Sequence, residues 1–130
     1  MEVTIRYVDN QKFIAQAGKH QLVIDQPKEK GGDDAGMTPL EIFLASLGAC
    51  AGVYASSYCK NAQIDSRNLK ISVNSELCPD APKRFKEIKV SIDLGQPVGE
   101  RKEALLNFVK NCPVHHTLAG APSMEFSISK

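Results

Sequence analysis

Four cysteines and a pair of adjacent histidines are the side chains of this 130-residue chain best suited to chemistry. Cys112 stands before Pro113, and proline favours the first position of a helix, so Cys112 is predicted to be the N-cap of a short helical turn. Free backbone N–H groups there would stabilise a thiolate and lower its pKa below about 8.5. His115 could add a positive charge or accept the thiol proton. The plainer interpretation, a buried cysteine before a turn with His115 and His116 exposed, stays open.

The other cysteines carry weaker signals. Cys50 lies in an apolar run, where a buried structural thiol is the ordinary interpretation, because free cysteine is among the most buried residue types. Cys59 follows nine residues later. On one helix that spacing is about 900° of rotation, which places Cys59 on the opposite face and excludes it as a partner of Cys50. Cys78 adjoins Pro79 in a predicted turn and is interpreted as an incidental exposed thiol.

Length and charge limit the class of protein. The length fits a single domain, residues 1–130, and a net charge of +1 offers no basic patch for nucleic acid. No apolar run is long enough to span a bilayer, and the N-terminus lacks the basic start and apolar core of a signal peptide. The chain is therefore predicted to be cytoplasmic, with neither nucleic acid nor membrane as a partner. In that compartment its cysteines are not expected to form structural disulfides.

The elements that would position these thiols begin with strands. Apolar and polar residues alternate over residues 3–7, and two further short strands are predicted at 13–17 and 21–25, which together suggest an antiparallel meander. A loop rich in Lys, Gly and Asp follows from Gln26 to Gly36.

A helix start is predicted at Thr38. Thr38 can cap the helix, Pro39 fits its first position, and Glu41 completes a capping box. The helix should run to about Cys59, and because it has no clear polar face, it is expected to be buried on most sides.

Two glycines interrupt this helix, Gly48 and Gly52. Each costs about 1 kcal/mol relative to alanine inside a helix, so close approach of another backbone is the expected compensation. The interpretation is a central helix, packed against other parts of the fold or against a partner chain.

The remaining chain predicts two long half-buried strands, over 69–74 and 88–94, then an amphipathic helix over 99–110 with Ala104, Leu105, Phe108 and Val109 inward. A last strand is predicted around Met124, Phe126 and Ile128. The predicted fold class is α+β, with antiparallel sheets around a long buried central helix.

Two motifs resemble those of the OsmC/Ohr family of small cysteine-based redox proteins. The segment TPLEIFLASLGAC, residues 38–50, is similar to the family's central-helix motif. The segment NCPVHHTL, residues 111–118, is similar to its second-cysteine motif. The GGDDAG loop at residues 31–36 also resembles the glycine-rich loop before the family's helix. The motifs occur in the family's order, and the resemblance covers nearly the whole chain.

The resemblance implies an intertwined homodimer and a thiol peroxidase that acts in oxidative-stress defence. By it, Cys50 would attack an organic hydroperoxide and become a sulfenic acid, and Cys112 would condense with it to a disulfide. A small dithiol of the lipoyl type would restore both thiols, and no cofactor or metal is implied. An apolar pocket beside Cys50 would favour organic peroxides. Because a second thiol is near, oxidation would stop before the irreversible sulfinic step.

The family's hydroperoxide-resistance branch also pairs its reactive cysteine with an arginine and a glutamate, for which the candidates here are Arg6 and Glu41. Glu41 lies about 13 Å along the helix from Cys50 and on the opposite face, so it would serve a thiolate of the partner subunit. Arg6 is in the first strand, whereas the family's arginine lies near the following turn, where this chain has Asp9, Asn10 and Lys12. The chain therefore resembles the poorly characterised OsmC-like branch more closely.

Two other classes of function stay open. One is a zinc protein that uses Cys50, Cys112, His115 and His116, although adjacent histidines rarely both reach one ion. The other is a non-catalytic module on the same fold that binds a small molecule, with the thiols as sensors.

Overall fold

The structure is a computed structural model that describes residues 1–129. The chain divides into two compact units, Met1–Ala45 and a second that begins at Ser46. The class is α+β, as predicted. In chain order the strands and α-helices are β1 Thr4–Asp9, β2 Lys12–Ala17, β3 His20–Ile24, α1 Pro39–Asn61, β4 Lys70–Leu77, β5 Phe85–Asp93, α2 Lys102–Val109 and α3 Pro113–Ala119.

The first unit contains the predicted meander, a three-stranded antiparallel sheet in the order β1-β2-β3. Asn10 has a positive φ of 48° in the first turn and Gly18 one of 59° in the second, a backbone region open to glycine and tolerated by asparagine. Tyr7 pairs with Phe13 across the first two strands, with ring centroids 5.5 Å apart. Every residue of β1 is nevertheless exposed.

The loop after β3 is organised by Asp25, a carboxylate that is only 1% exposed. Its oxygens accept hydrogen bonds from the backbone N–H groups of Gln26 at 2.7 Å, Asp33 at 3.2 Å and Ala35 at 3.1 Å. Burial by itself would raise the pKa of Asp25, but the three donors outweigh it and hold the pKa below its ordinary value. The loop is thus folded around one ionised side chain.

Helix α1 begins as the sequence predicts and ends two residues later than predicted, at Asn61 instead of Cys59. Its capping box is formed, because the Thr38 N–H donates to Glu41 Oε1 at 3.0 Å and the Glu41 N–H donates to Thr38 Oγ1 at 3.2 Å. Within this single chain only one stripe of the helix is buried, and Val53 remains 61% exposed. The buried stripe consists of Leu47, Gly48, Ala51, Ala55 and Cys59.

By length and composition alone, α1 is able to cross a membrane, since it has 23 residues and a mean hydropathy of 1.4 over its most apolar window. The expectation that no apolar run is long enough is corrected on this point. Small and hydroxyl-bearing residues interrupt the apolar residues of α1, but they add no charge, so its mean hydropathy stays high. A core helix of a soluble protein meets the same criterion.

The two helix glycines are explained within the second unit, by β4. A Cβ at Gly48 would lie 2.9 Å from Val73 Cγ2, and one at Gly52 would lie 3.5 Å from Ile71 Cγ1. The close neighbours are therefore strand side chains, where the sequence suggested another backbone. Strand β4 pairs antiparallel with β5, with Ile71 opposite Ile92.

The core of the second unit is formed by α1, α2 and the residue that directly follows β5. It consists of Ala51, Ala55, Cys59, Leu94, Leu105 and Val109. The predicted helix over 99–110 is a 3-10 turn, Gly99–Arg101, followed by α2. Leu105 and Val109 face inward as predicted, whereas Ala104 is exposed.

The predicted last strand is not formed. Residues 121–129 belong to no helix or strand, and Phe126 and Ile128 are 90% and 91% exposed. A strand needs a neighbouring strand for its hydrogen bonds, and this segment has none among residues 1–129.

Candidate active site at Cys50 and Cys112

The second unit brings together two cysteines that are 62 positions apart in the sequence. Cys50 lies on α1 and is half-buried, and Cys112 lies directly before α3 and is only 1% exposed. Both are free thiols. Cys50 is close enough to Cys112 to raise its pKa. The pair that the family resemblance implied is therefore placed together by the fold.

Cys112 is the N-cap of α3, as its position before Pro113 predicts. Its backbone is extended, with φ −64° and ψ 140°, and its Sγ accepts a hydrogen bond from the His115 N–H at 3.3 Å. Proline at the first helical position fixes the turn that directs this N–H at the sulfur. The donor is a backbone group, so this contact does not depend on the side chain of residue 115.

The predicted fall in the Cys112 pKa is wrong in direction. Burial raises the pKa of the Cys112 thiol, and the hydrogen bonds from the N–H groups of His115 and Val114 only partly oppose it. Cys50 raises the pKa further by hydrogen bonding and charge. The sequence signal of an N-cap was correct, but it could not reveal that the sulfur would be almost completely dehydrated. Cys112 therefore keeps its proton at neutral pH.

A cavity of about 480 Å³ opens beside Cys112 in the second unit. Its wall is mostly apolar, with residues such as Leu47, Val90 and Leu118. The expected apolar pocket thus exists, but Cys112 lines it and Cys50 does not. The reason is helical geometry, because Ala51 faces the cavity and Cys50 is turned about 100° away from it on α1.

Four titratable side chains besides Cys112 line the same cavity: Lys86, Glu87, Lys110 and His115. His115 is half-buried and His116 is exposed, with their ring centroids 6.0 Å apart. The plain interpretation of two exposed histidines is therefore wrong for His115. The lysines and the glutamate were not singled out from sequence, because alternating charges on a strand and at a helix end are ordinary surface features.

The zinc alternative gains no support from the donor geometry. Within residues 1–129 no group of three or more His, Cys, Asp or Glu side chains is arranged to hold a metal ion. Cys50, Cys112, His115 and His116 therefore do not form a tetrahedral donor set of the kind zinc requires.

The other candidate residues, Arg6 and Glu41, lie in the first unit. Glu41 holds the capping box, and its hydrogen bonds with the Thr38 backbone and hydroxyl lower its pKa. Arg6 is exposed on β1 opposite Ile14 and makes no salt bridge to any residue that the structure describes. The structural role expected for Glu41 is thus confirmed, and the catalytic role of both residues stays a prediction.

The sequence indicated no structural role for two residues of the first unit, Asp25 and Lys12. Lys12 Nζ lies 3.6 Å from both Asp9 and Asp33, and the charge of Asp9 is the main cause that raises the Lys12 pKa. The signal that could have indicated Asp25 is an aspartate at the end of an apolar strand, directly before a loop rich in Gly and Asp.

The remaining cysteines are separate from the pair. Cys59 is fully buried in the core, and burial raises its pKa, which agrees with its assignment to the opposite face of the helix. Cys78 is half-buried where an exposed thiol was expected, and its N–H donates to the Arg84 carbonyl at 2.8 Å in the turn between β4 and β5.

Comparison with known proteins identifies relatives along nearly the whole chain. The family model described as OsmC-like protein matches residues 31–127. A hydroperoxide reductase of Mycoplasma genitalium is 26% identical over 134 residues, covering 98% of this chain and 93% of that protein. The OsmC-like protein from Mycoplasma pneumoniae is similar in structure, with a TM-score of 0.77 and 23% identity over 92% of this chain and 87% of that one. The organic hydroperoxide resistance protein of Bacillus subtilis has a TM-score of 0.65 and 22% identity, covering 92% of this chain and 90% of that one.

Proposed function

Because the chain belongs to the OsmC-like protein family, we propose that it is a cysteine-based peroxidase that reduces organic hydroperoxides through a Cys50–Cys112 disulfide. The observation that carries this proposal is the proximity of two free thiols in the second unit, where Cys50 raises the pKa of Cys112. The name hydroperoxide reductase on a relative of matching length supports the same reaction class. Its biological setting would be defence against oxidative stress.

The two thiols have different roles in this mechanism. The Cys50 thiolate attacks the terminal peroxide oxygen, the O–O bond breaks, and an alcohol leaves once its oxygen takes a proton. Cys50 is then a sulfenic acid, which Cys112 attacks, and water leaves as the disulfide forms. Cys50 suits the first role because it is half-buried and reachable. Cys112 suits the second because it is dehydrated and retains its proton until it is needed.

A small dithiol of the lipoyl type is the proposed reductant. One thiolate of the dithiol attacks the disulfide to form a mixed disulfide, and its second thiol then releases both protein cysteines. The apolar cavity beside Cys112 supports a carbon-rich substrate, because apolar walls bind an alkyl chain and offer little to hydrogen peroxide.

We also propose an intertwined homodimer in which α1 becomes the buried central helix. Exposed apolar side chains in several elements support a second copy as their cover: Val3, Ile5 and Tyr7 near the N-terminus, Val53 on α1, and Phe126 and Ile128 near the C-terminus. A second copy that covers such side chains would remove large apolar groups of each unit from water. In the dimer, Arg6 and Glu41 would approach a cysteine of the partner subunit, and residues 1–130 would act as one cytoplasmic domain.

Oxidation of the pure protein tests the reaction. One equivalent of cumene hydroperoxide should remove two hydrogen atoms from the wild-type mass, map to a Cys50–Cys112 bridge, and be reversed by dihydrolipoamide. Cys50→Ser should be inert, whereas Cys112→Ser should stop at a sulfenic acid on Cys50. Cys59→Ser is the matched control, because Cys59 is on the same helix but buried in the core. If both thiols stay reduced for minutes, the peroxidase proposal fails.

Glu41→Gln tests the proposed acid in the partner's site. Glutamine keeps an oxygen that can accept the Thr38 N–H, so helix capping should survive while the negative charge is lost. A slower oxidation of Cys50 at unchanged thermal stability would support a catalytic role for the charge. An unchanged oxidation rate would restrict Glu41 to capping.

One observation also favours the non-catalytic alternative, a module that binds a small apolar molecule and senses its state through the thiols. The cavity of about 480 Å³ is large enough for such a ligand whether or not Cys50 reacts. Binding of an unreactive alkyl ligand, together with thiols that resist peroxide, would favour this function over catalysis.

A further inference from the structure

The condensation of Cys112 with oxidised Cys50 requires that a proton leave Cys112 at the moment of attack. The nucleophile in thiol exchange is the thiolate, not the thiol. Cys112 is 1% exposed, so bulk water has little access to its sulfur. The acceptor of that proton should therefore be a side chain that faces the same cavity.

The cavity offers few candidates for this acceptor. The amino groups of Lys86 and Lys110 are hydrogen-bond donors that offer no acceptor. Cys50 does not line the cavity and is the electrophile of the step. Glu87, on β5, lies 3.6 Å from Lys89, so its carboxylate is already paired with a cation. His116 is exposed and does not line the cavity.

His115 meets the requirements that the other side chains do not. It lines the cavity together with Cys112, is half-buried, and stands in the first turn of the helix that Cys112 caps. Its backbone N–H already lies 3.3 Å from the sulfur, so its ring is carried by a residue in direct contact with the reacting atom. Histidine is the side chain that can both accept and donate a proton near neutral pH.

We propose that His115 is the general base for Cys112. As the Cys112 sulfur attacks the Cys50 sulfur, the imidazole takes the thiol proton, directly or through one water, and the Cys50 S–O bond breaks. The imidazolium then returns the proton to the departing hydroxide, which leaves as water. The sulfenic sulfur is reduced and the thiol sulfur oxidised to the shared disulfide level, and His115 ends neutral. In its physiological form this step rests on the proposed peroxidase function.

The step can be tested without peroxide, by using an aromatic disulfide, dithiobis(nitrobenzoate), in a Cys78→Ser background. The half-buried Cys50 should react first, releasing one coloured thiolate and keeping the other as a mixed disulfide. Cys112 then attacks that mixed disulfide and releases the second thiolate, which leaves without a proton. The rate of the second release therefore measures proton loss and attack by Cys112.

His115→Ala should slow the second release by about 100-fold, the lower end of what general-base catalysis contributes, and leave the first release unchanged. Because the hydrogen bond to Cys112 comes from the backbone, alanine retains it, and the α3 cap should persist. His116→Ala is the matched control and should behave as wild type. Added imidazole should restore much of the rate to His115→Ala, which a purely structural role of His115 would not allow.

The outcomes separate this inference from the peroxidase proposal. A second release in His115→Ala within twofold of wild type, no rescue by imidazole, or no second release in the wild type would each overturn the role of His115. If cumene hydroperoxide fails to oxidise the wild type while the second release still depends on His115, the peroxidase proposal fails and His115 remains the base for Cys112.

Discussion

Two acidic side chains in different units of this molecule are equally buried, but their pKa values are shifted in opposite directions. Asp25 in the first unit and Cys112 in the second are each 1% exposed, and each accepts hydrogen bonds from backbone N–H groups. The pKa of Asp25 is nevertheless held below its ordinary value, whereas that of Cys112 is raised.

The difference lies in the groups that replace water around each charge. The loop supplies three N–H donors to the hard carboxylate oxygens of Asp25, and the positive charge of Lys12 adds to them. The sulfur of Cys112 is a weaker acceptor, and its neighbour Cys50 is a second acid. Burial alone therefore does not determine the direction of a pKa shift. The hydrogen-bond donors and the neighbouring charges determine it. One site is built to keep a charge and the other to keep a proton.

The largest expected effect comes from removing the charged site. Asp25→Ala would leave the N–H groups of Gln26, Asp33 and Ala35 without their acceptor, and the loss of three part-buried hydrogen bonds to a carboxylate is costly. We expect the melting temperature to fall by about 10 °C. Asp34→Ala is the matched control, since Asp34 is an exposed residue of the same loop. Equal melting temperatures for the two variants would mean that Asp25 does not organise the loop.

The second largest effect is expected at Asp25 in the acidic part of the pH dependence of stability. Its folded pKa is lowered, so it contributes stability above the unfolded value of about 3.9, and that contribution is lost as the pH falls below this value. Urea unfolding between pH 6 and pH 3 should thus be less steeply pH-dependent in Asp25→Asn than in wild type. Glu41 and Asp65 also have lowered pKa values and should retain part of the slope in the variant. Parallel curves would contradict the assignment.

In the alkaline range the contribution of Cys112 to stability should fall as the pH rises, the opposite of the pH dependence expected for Asp25. Its folded pKa is raised, so the folded state holds the proton more strongly and stability is lost as the pH rises above the unfolded value of about 8.5. Cys112→Ser should flatten the fall in stability between about pH 8 and pH 10. Cys59, whose pKa is also raised by burial, should account for what remains. A variant as steep as wild type would remove Cys112 from this linkage.

The sequence predicts features that depend on neighbouring residues better than features that depend on contacts between distant elements. The capping box at Thr38 and Glu41 and the N-cap at Cys112 depend on residues a few positions apart, so local pattern was sufficient for both. The strand predicted around Phe126 failed because a strand depends on a partner that the pattern does not specify. For Gly48, the sequence indicated a close approach but could not identify Val73 as the neighbour.

The features of the candidate site that the sequence did not predict also depend on contacts between distant elements. The pairing of Cys50 with Cys112 came from a family resemblance, because nothing local joins two residues on separate elements. The sign of the Cys112 pKa shift depended on burial by several elements, which no local motif predicts. The burial of Asp25 and the position of His115 at the cavity were identified only when the chain was folded, although the sequence had already indicated His115 as a possible acceptor of the Cys112 proton.

The smallest expected effect is a change of one atom at the N-cap, which makes the Cys112 site more like that of Asp25. In Cys112→Ser a hydroxyl oxygen replaces the sulfur and should accept the His115 N–H more strongly, while burial of a more polar group offsets part of the gain. In Cys112→Ala the acceptor is lost altogether. We therefore expect the serine variant to be about 1 kcal/mol more stable than the alanine variant, as measured by urea unfolding near pH 7. If the alanine variant is equally stable, the N-cap contact contributes nothing, and burial alone controls the chemistry of Cys112.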